Sequence, residues 1–266
     1  MTPPILPTNE NAAATLDEVV ERMIALETAL PVGDGVGYFN KLYLEVTRAV
    51  VERLRRGEFE QPRFLEHLAV LFSNAYFRAL DDSERDPAAV SRAWAPLFEA
   101  RARKRVAPIQ FVLAGMNAHI NYDLPIGVVQ TCEAFGVSPR DGTAEHRDYL
   151  HLNAILGETQ ETVKAWLVTG LLGFLDRALG RLDDIVASFS VLRAREAAWA
   201  HAKTLWQVRD QRELTGAYLD ALEHTVGLAG RGLLQPTLLG LGGWASRRPE
   251  LPVQFRTALG APKPGI

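Results

Sequence analysis

The stretch at positions 106–125, VAPIQFVLAGMNAHINYDLP, constrains the fold more than any other part of the chain. Its first 17 residues contain no Asp, Glu, Lys or Arg, and a helix that is apolar nearly all round is expected to be buried. A buried polar group costs roughly 1–3 kcal/mol when it has no partner. The second half nevertheless carries four polar side chains, Asn117, His119, Asn121 and Asp123. The stretch therefore predicts a buried central helix that carries a polar site.

Helical geometry divides these four side chains between two faces. At about 100° per residue, His119 and Asp123 lie one turn apart on one face, whereas Asn117 and Asn121 pair on nearly the opposite side. A His and a carboxylate at this spacing can ligate a divalent cation together with residues of a neighbouring helix. Alternatively, the carboxylate can orient the imidazole and raise its basicity for general acid/base catalysis. In a third interpretation, the polar groups only satisfy one another and nearby backbone.

The best partner for the His119/Asp123 face is the predicted sixth helix, where Asp148 and His151 share a face and Asn153 lies near it. We expect His119, Asp123 and Asp148 to be catalytic. The metal hypothesis takes these three and His151 as ligands of one divalent ion, Zn, Mn, Fe or Mg, and otherwise no cofactor is expected. Apolar residues on other helices, such as Phe39 and Phe72, favour a small, partly apolar substrate. Substrate contacts are assigned to Asn117, Asn121, Asn153, Tyr43, Tyr76 and Met116.

Strand signals are nearly absent, because the chain has no alternating β-branched runs and no Asn-Gly hairpin turns. Amphipathic periods joined by short Gly/Pro loops predict an all-α domain of about eight to ten helices. Pro125 is expected to kink or restart the central helix, and the predicted helices include an apolar one near residues 161–179. The predicted organisation is a flexible arm (1–12), a single all-α domain (13–239) and a partly ordered tail (240–266).

Composition narrows the class of protein rather than its reaction. The hydrophobic fraction of 47% supports a sizeable core, and the net charge of −3 gives no general attraction to nucleic acid or anionic membranes. Cys132 is the only cysteine, which excludes an intramolecular disulfide and fits a reducing cytoplasm. Neither a signal peptide nor a membrane span is predicted, so we expect a cytoplasmic protein. The oligomeric state is left open.

Several motifs resemble those of an uncharacterised, mainly actinobacterial helical family that is catalogued as a domain of unknown function. The resemblance extends over about residues 37–206 and is carried by PIQFVLAGMNAHINYDLP (108–125), RDYLHLNAIL (147–156) and RAREAAWAHAKTLW (193–206), with an Asn-Ala-His-Ile-Asn-x-Asp-Leu-Pro signature. It implies an all-helical domain but supplies no reaction. The family's signature positions here are Asn117, His119, Asn121, Asp123, Asp148 and Asn153.

Three functions remain open at this point. The first is a small-molecule enzyme that performs metal-assisted hydrolysis, or related acid/base chemistry, on a partly apolar substrate. The second is a metal-free cyclase or lyase of specialised metabolism. The third is a non-catalytic ligand-binding or scaffold protein. No nucleophile elbow, HExxH motif, P-loop or dinucleotide-binding fingerprint occurs in the chain to narrow the choice.

Overall fold

The computed structural model describes residues 12–153 and 190–236, and every regular element within these ranges is helical. In chain order the elements are α1 (Leu16–Ala29), α2 (Gly35–Arg55), α3 (Pro62–Arg85), α4 (Ala95–Ala100), α5 (Pro108–Ala118), a π-helical turn (His119–Asp123), α6 (Leu124–Phe135), α7 (144–153 in its described part), α8 (Val191–Val208) and α9 (Arg212–Leu233). The predicted all-α domain is confirmed. The N-terminal arm, the helix predicted near 161–179 and the C-terminal tail lie outside the described residues.

Side-chain caps explain where several helices begin. The Thr15 hydroxyl accepts a hydrogen bond from Glu18 N at the start of α1, as its capping-box spacing predicts. Asp34 caps α2 by accepting from Val36 N at 2.8 Å. Ser190 caps α8 by accepting from Arg193 N. In each case a short polar side chain satisfies a backbone N–H that the first helical turn leaves without a partner.

Two helix boundaries depart from what the sequence pattern indicates. The polar run 81–86 indicates a loop, but α3 continues to Arg85, and Asp81 in its last turns pairs with Arg22 of α1 at 2.8 Å. The pattern at 87–104 predicts a helical stretch with a kink at Pro96, whereas only the short α4 forms there. Pro96 lies in its first turn, a position that proline fits, so the proline marks the start of α4 instead of a kink within a longer helix.

The central stretch folds as one buried helical rod (108–135) that consists of α5, the π-helical turn and α6. Pro108 occupies the first turn of α5, a position that suits proline, and Gln110 connects that turn to the C-terminal end of α9 through the carbonyl of Leu233. In the π-helical turn the Leu124 N–H bonds to the carbonyl of His119, five residues earlier. A widened turn therefore lies just before Pro125. A kink of the rod at this proline stays a prediction.

The rod separates two hydrophobic cores. The first lies mainly among α1, α2, α3, α4, α5 and α9, and its largest buried residues are Phe39, Tyr76, Phe77, Trp94 and Phe111. The second lies among α3, α6, α7 and α8, around Phe64, Ile126, Tyr149 and Trp199. Met116 and Tyr122 of the rod contact both cores. The polar side chains of the rod are therefore presented into packed protein on both sides.

Gly115 allows α2 to approach the rod closely. A methyl group at this position would overlap the ring of Phe39, so the absence of a side chain is a packing requirement. Phe39 in turn contacts the His119 ring, with 5.9 Å between the ring centroids. The small residue thus sets the distance between α2 and the polar face of the rod.

Substituting Gly115→Ala should lower the free energy of unfolding by about 1–3 kcal/mol, because overpacking forces neighbouring side chains and backbone to shift. Chemical denaturation measures the change. The matched control is Gly216→Ala in α9, where nothing lies within 4 Å of the added methyl group. That variant should gain about 0.5–1 kcal/mol from the higher helix propensity of alanine. Equal effects at the two positions would contradict the close-packing role of Gly115.

Candidate functional site

A buried His–Asp pair lies in the π-helical turn. His119 Nδ1 is 2.9 Å from Asp123 Oδ2, and the two residues are only 2% and 4% exposed. The same carboxylate oxygen accepts a hydrogen bond from the indole Nε1–H of Trp94 at 3.0 Å. The predicted pairing of His119 with Asp123 is therefore observed, and a residue next to α4 joins it.

The hydrogen bonds indicate the protonation state of the imidazole. Burial lowers the pKa of His119, against the opposing effect of its hydrogen bond to Asp123, so the neutral ring is favoured. A carboxylate can only accept, which assigns the single ring proton to Nδ1. Nε2 then carries a lone pair, and it is a buried atom without a hydrogen-bond partner among the described residues. The pair has the form of a general base held in one tautomer by a carboxylate.

Aromatic side chains hold the imidazole ring in place. Phe72 of α3 stacks on it face to face, with 3.4 Å between the centroids and 5° between the planes. Tyr43 of α2 meets it edge-on at 4.6 Å, and Trp94 lies 5.8 Å away. Such packing excludes water from the ring and leaves it little rotational freedom. Electrostatic interactions with the imidazole are consequently stronger than they would be in water.

A cavity of about 110 Å³ lies beside the pair, between α2, α3, the rod and α8. Its wall is mostly aliphatic and aromatic, and only a few polar residues take part. Tyr43 OH and Ser73 Oγ are 2.8 Å apart in this wall, and burial raises the pKa of Tyr43, so its phenol stays protonated. The polar residues of the lining are Tyr43, Thr47, Ser73, His119 and Arg195.

Asp148 serves the backbone of another segment. Its two carboxylate oxygens accept hydrogen bonds from Glu60 N at 3.0 Å and Gln61 N at 2.6 Å, which stabilises the entry to α3. His151 is exposed and packs against Phe59. Within residues 12–153 and 190–236, no three His, Cys, Asp or Glu side chains are grouped to hold a metal ion. The four-ligand metal set is thus not assembled in the described residues, and metal binding stays a prediction.

The asparagines assigned to substrate bond to protein groups. Asn117 donates to the carbonyl of Val226 in α9 at 2.9 Å and accepts from Asn121 at 3.1 Å. Asn153 accepts from Arg195 at 2.6 Å. The first two connect the rod to α9 on the side away from the cavity wall, and Asn153 supports a cavity residue.

The three remaining substrate assignments fall in the same region. Tyr43 and Met116 line the cavity. Tyr76 is fully buried and donates from its hydroxyl to Asn40, so it contributes to the packing around His119 rather than to the cavity wall.

Two residues of the site were missed in the sequence. Trp94 lies 29 positions from Asp123, and no local pattern connects them. Arg195 could have been found, because it falls on the apolar face of α8 that also contains Val191, Ala198 and Ala202. A charged residue on the inward face of an amphipathic helix is the signal that marks it.

The chain belongs to a family of unknown function (DUF5995), whose pattern matches residues 16–236. No curated protein and no solved structure shows significant similarity to the chain. Among the described helices, none has the length and hydropathy needed to cross a bilayer. Membership of the family agrees with the resemblance seen in the motifs and supplies no reaction, so a functional assignment depends on the site itself.

His119 should show the Nδ1–H tautomer in ¹⁵N NMR spectra at neutral pH. The same residue should make the free energy of unfolding depend on pH. Its pKa is lowered in the folded state, so below about pH 6.5 the unfolded chain takes up a proton that the native state resists. The free energy of unfolding therefore falls as the pH decreases from about 6.5, with a slope of up to about 1.4 kcal/mol per pH unit for one proton.

The partly buried His67, His146 and His201 also have lowered pKa values and add to this slope, so the measurement is the difference between wild type and His119→Asn. The asparagine amide can still donate to Asp123 but does not titrate. Denaturation curves from pH 5 to pH 8 should show a smaller slope for the variant. Identical slopes, or a doubly protonated ring at pH 7, would contradict a neutral His119.

Trp94→Phe should lower the free energy of unfolding by about 2–3 kcal/mol, because it removes a hydrogen bond to a buried carboxylate while keeping an aromatic ring. Trp206→Phe is the matched control, since the Trp206 ring stacks under Arg209 and its indole nitrogen has no hydrogen bond to a described residue. The control should lose less than about 1 kcal/mol. Thermal and chemical denaturation would compare the two variants. Equal losses of unfolding free energy would contradict a specific role of Trp94 in holding Asp123.

Proposed function

We propose that this chain is an enzyme that uses His119 as a general base on a small, partly apolar molecule held in the adjacent cavity. The observation that carries the proposal is a buried Nε2 atom to which no described residue bonds, on a ring whose other nitrogen bonds to Asp123. Leaving such an atom unpaired costs roughly 1–3 kcal/mol. A purely structural histidine would be expected to have both nitrogens satisfied.

Each neighbour of His119 has a role in this chemistry. When Nε2 takes a proton, the ring becomes an imidazolium, and Asp123 at 2.9 Å stabilises the new charge. Trp94 fixes the carboxylate by donating to the same oxygen. The Tyr43–Ser73 pair in the cavity wall can donate a hydrogen bond to a substrate oxygen on which negative charge develops. Together these groups provide a base, a carboxylate that orients it, and a hydrogen-bond donor for negative charge on the substrate.

The lining of the cavity favours proton abstraction from carbon over hydrolysis. Hydrolysis must admit and position a water molecule, whereas the wall around His119 is formed largely by aromatic and aliphatic side chains. An elimination, isomerisation or ring closure needs only the bound molecule and the base. The lyase or cyclase alternative therefore fits the described residues better than a hydrolase. Metal-assisted hydrolysis, in which Nε2 would be a ligand, stays an untested prediction.

Solvent exchange tests the proposal directly. Small apolar ketones and carboxylic acids incubated with the protein in D₂O should gain deuterium at carbon, as followed by ¹H NMR. His119→Asn should slow the exchange at least about 100-fold, since a positioned base contributes that much or more. The matched control is His224→Asn on α9, where the side chain is exposed, and this variant should exchange at the wild-type rate.

A scaffold role makes the opposite prediction, with a lower melting temperature for His119→Asn and no change in exchange. Diethyl pyrocarbonate, a small apolar acylating reagent, adds a check that needs no substrate. It should modify Nε2 of His119 more slowly after Asp123→Asn, while exposed His224 reacts equally in both proteins. If exchange persists at the wild-type rate in His119→Asn, His119 is not the base.

A further inference from the structure

Arg195 is a buried charged residue in the cavity wall. It is 5% exposed and follows Val191 by one turn on the inward face of α8. Taking a guanidinium out of water costs several kcal/mol even after the protein relaxes around it, so buried arginines usually pair with an acid. The groups around Arg195 depart from that expectation.

Every described partner of Arg195 is uncharged. Its Nε–H donates to Asn153 Oδ1 at 2.6 Å, and Nη2 donates to the carbonyl of Tyr149 at 3.0 Å. The guanidinium also lies over the Tyr149 ring, 4.2 Å from its centroid. No carboxylate among the described residues forms an ion pair with it. The guanidinium is therefore oriented by neutral groups while its charge is left without a counterion.

The remaining nitrogen, Nη1, has no hydrogen-bond partner among the described residues. Nε and Nη2 each bond to an acceptor outside the cavity lining, on α7, while the side chain itself takes part in the lining. A guanidinium keeps its charge under all physiological conditions. The arrangement supplies donors and a positive charge that no described acid uses.

The N-terminus of α8 adds to the positive potential at this end of the cavity. The helix begins at Val191, which lines the cavity together with Arg195. Helix N-termini carry a partial positive charge and favour anions. A buried cation and a helix N-terminus therefore both contribute positive potential at this end of the cavity.

The rest of the cavity lining limits the size and polarity of a ligand. Along α2 the lining residues run from Phe39, beside His119, to Val50, a distance of about 16 Å at the helical rise. Leu65 and Leu152 complete the wall away from His119. The cavity volume of about 110 Å³ is of the order of a 150 Å³ cavity that accommodates benzene. It suits one ring or a short branched chain.

We propose that the cavity binds small apolar carboxylates, with the carboxylate on Arg195 and the apolar body lying along α2 and α3 toward His119. This inference rests on the proposed function for what happens to the ligand, but the binding itself does not require His119. An arginine with an unused face can hold a carboxylate through charge-assisted hydrogen bonds. The ligand supplies the counterion that the described residues do not provide.

Matched pairs of ligands test the inference without any substitution. Benzoate and benzamide, and 4-methylpentanoate and 4-methylpentanamide, have nearly the same shape within each pair but differ in charge. Calorimetric titration of the wild-type protein should show at least about tenfold tighter binding of each carboxylate than of its amide. Because the site is buried, this ratio should change little between about 0.05 and 0.5 M salt, in contrast to adsorption on surface cations. Equal affinities within both pairs, or no binding of any of the four, would overturn the inference.

Variants then identify the group responsible. Arg195→Gln should remove the preference for carboxylate, and Arg195→Lys should keep part of it, because the charge is retained as a single point donor. His119→Asn should keep the full preference. If Arg195→Gln does not fold, the Arg195→Lys variant and the ligand pairs still decide the question.

The outcomes separate this inference from the proposed function. Selective carboxylate binding without deuterium exchange would refute His119 as a base and leave the anion site standing. Deuterium exchange on ketones without a preference for binding carboxylates would refute the anion site and leave His119 standing as a base.

Discussion

The arrangement of the buried polar side chains around His119 depends on one carboxylate oxygen. Asp123 Oδ2 accepts hydrogen bonds from both His119 Nδ1 and Trp94 Nε1, and so joins the rod to the segment before α4. A buried carboxylate is stable only when donors replace the water it has lost. The two N–H groups do this, and in doing so they fix the imidazole tautomer and the indole orientation. The aromatic packing around His119 depends on that arrangement.

The backbone beneath this pair is itself irregular. A π-helical turn contains an extra residue, and such turns are rare and are found frequently at functional sites. Here the turn spans His119–Asp123, so both members of the pair lie in it, just before a proline that cannot donate to the helical ladder. The extra residue leaves the pair in contact while it changes the directions in which the flanking α5 and α6 present their side chains. The irregular backbone and the buried His–Asp pair therefore occupy the same five residues.

Only those contacts of the site that follow from helical periodicity could be predicted from the sequence. His119 and Asp123 are four residues apart, and that spacing brings them together in almost any helix. Asp148 could not be placed in this way, because its partners, Glu60 N and Gln61 N, depend on how α7 packs against the start of α3. The same holds for Trp94, which reaches Asp123 only through the tertiary fold. The all-α class was predictable because each helix carries its own amphipathic signal, whereas the start of α4 depended on one proline, Pro96.

Asp123 and Arg195 are buried charges of opposite sign that do not pair with each other. Direct contact would be the simplest way to reduce the cost of burying both, yet each is held by neutral groups of its own, Asp123 by His119 and Trp94 and Arg195 by Asn153 and Tyr149. His119 and Arg195 instead line the same cavity. Under the proposed function, a molecule with a negative end and a removable proton would contact Arg195 and His119 at once. An ion pair between Asp123 and Arg195 would take the carboxylate away from His119 and the guanidinium away from such a molecule.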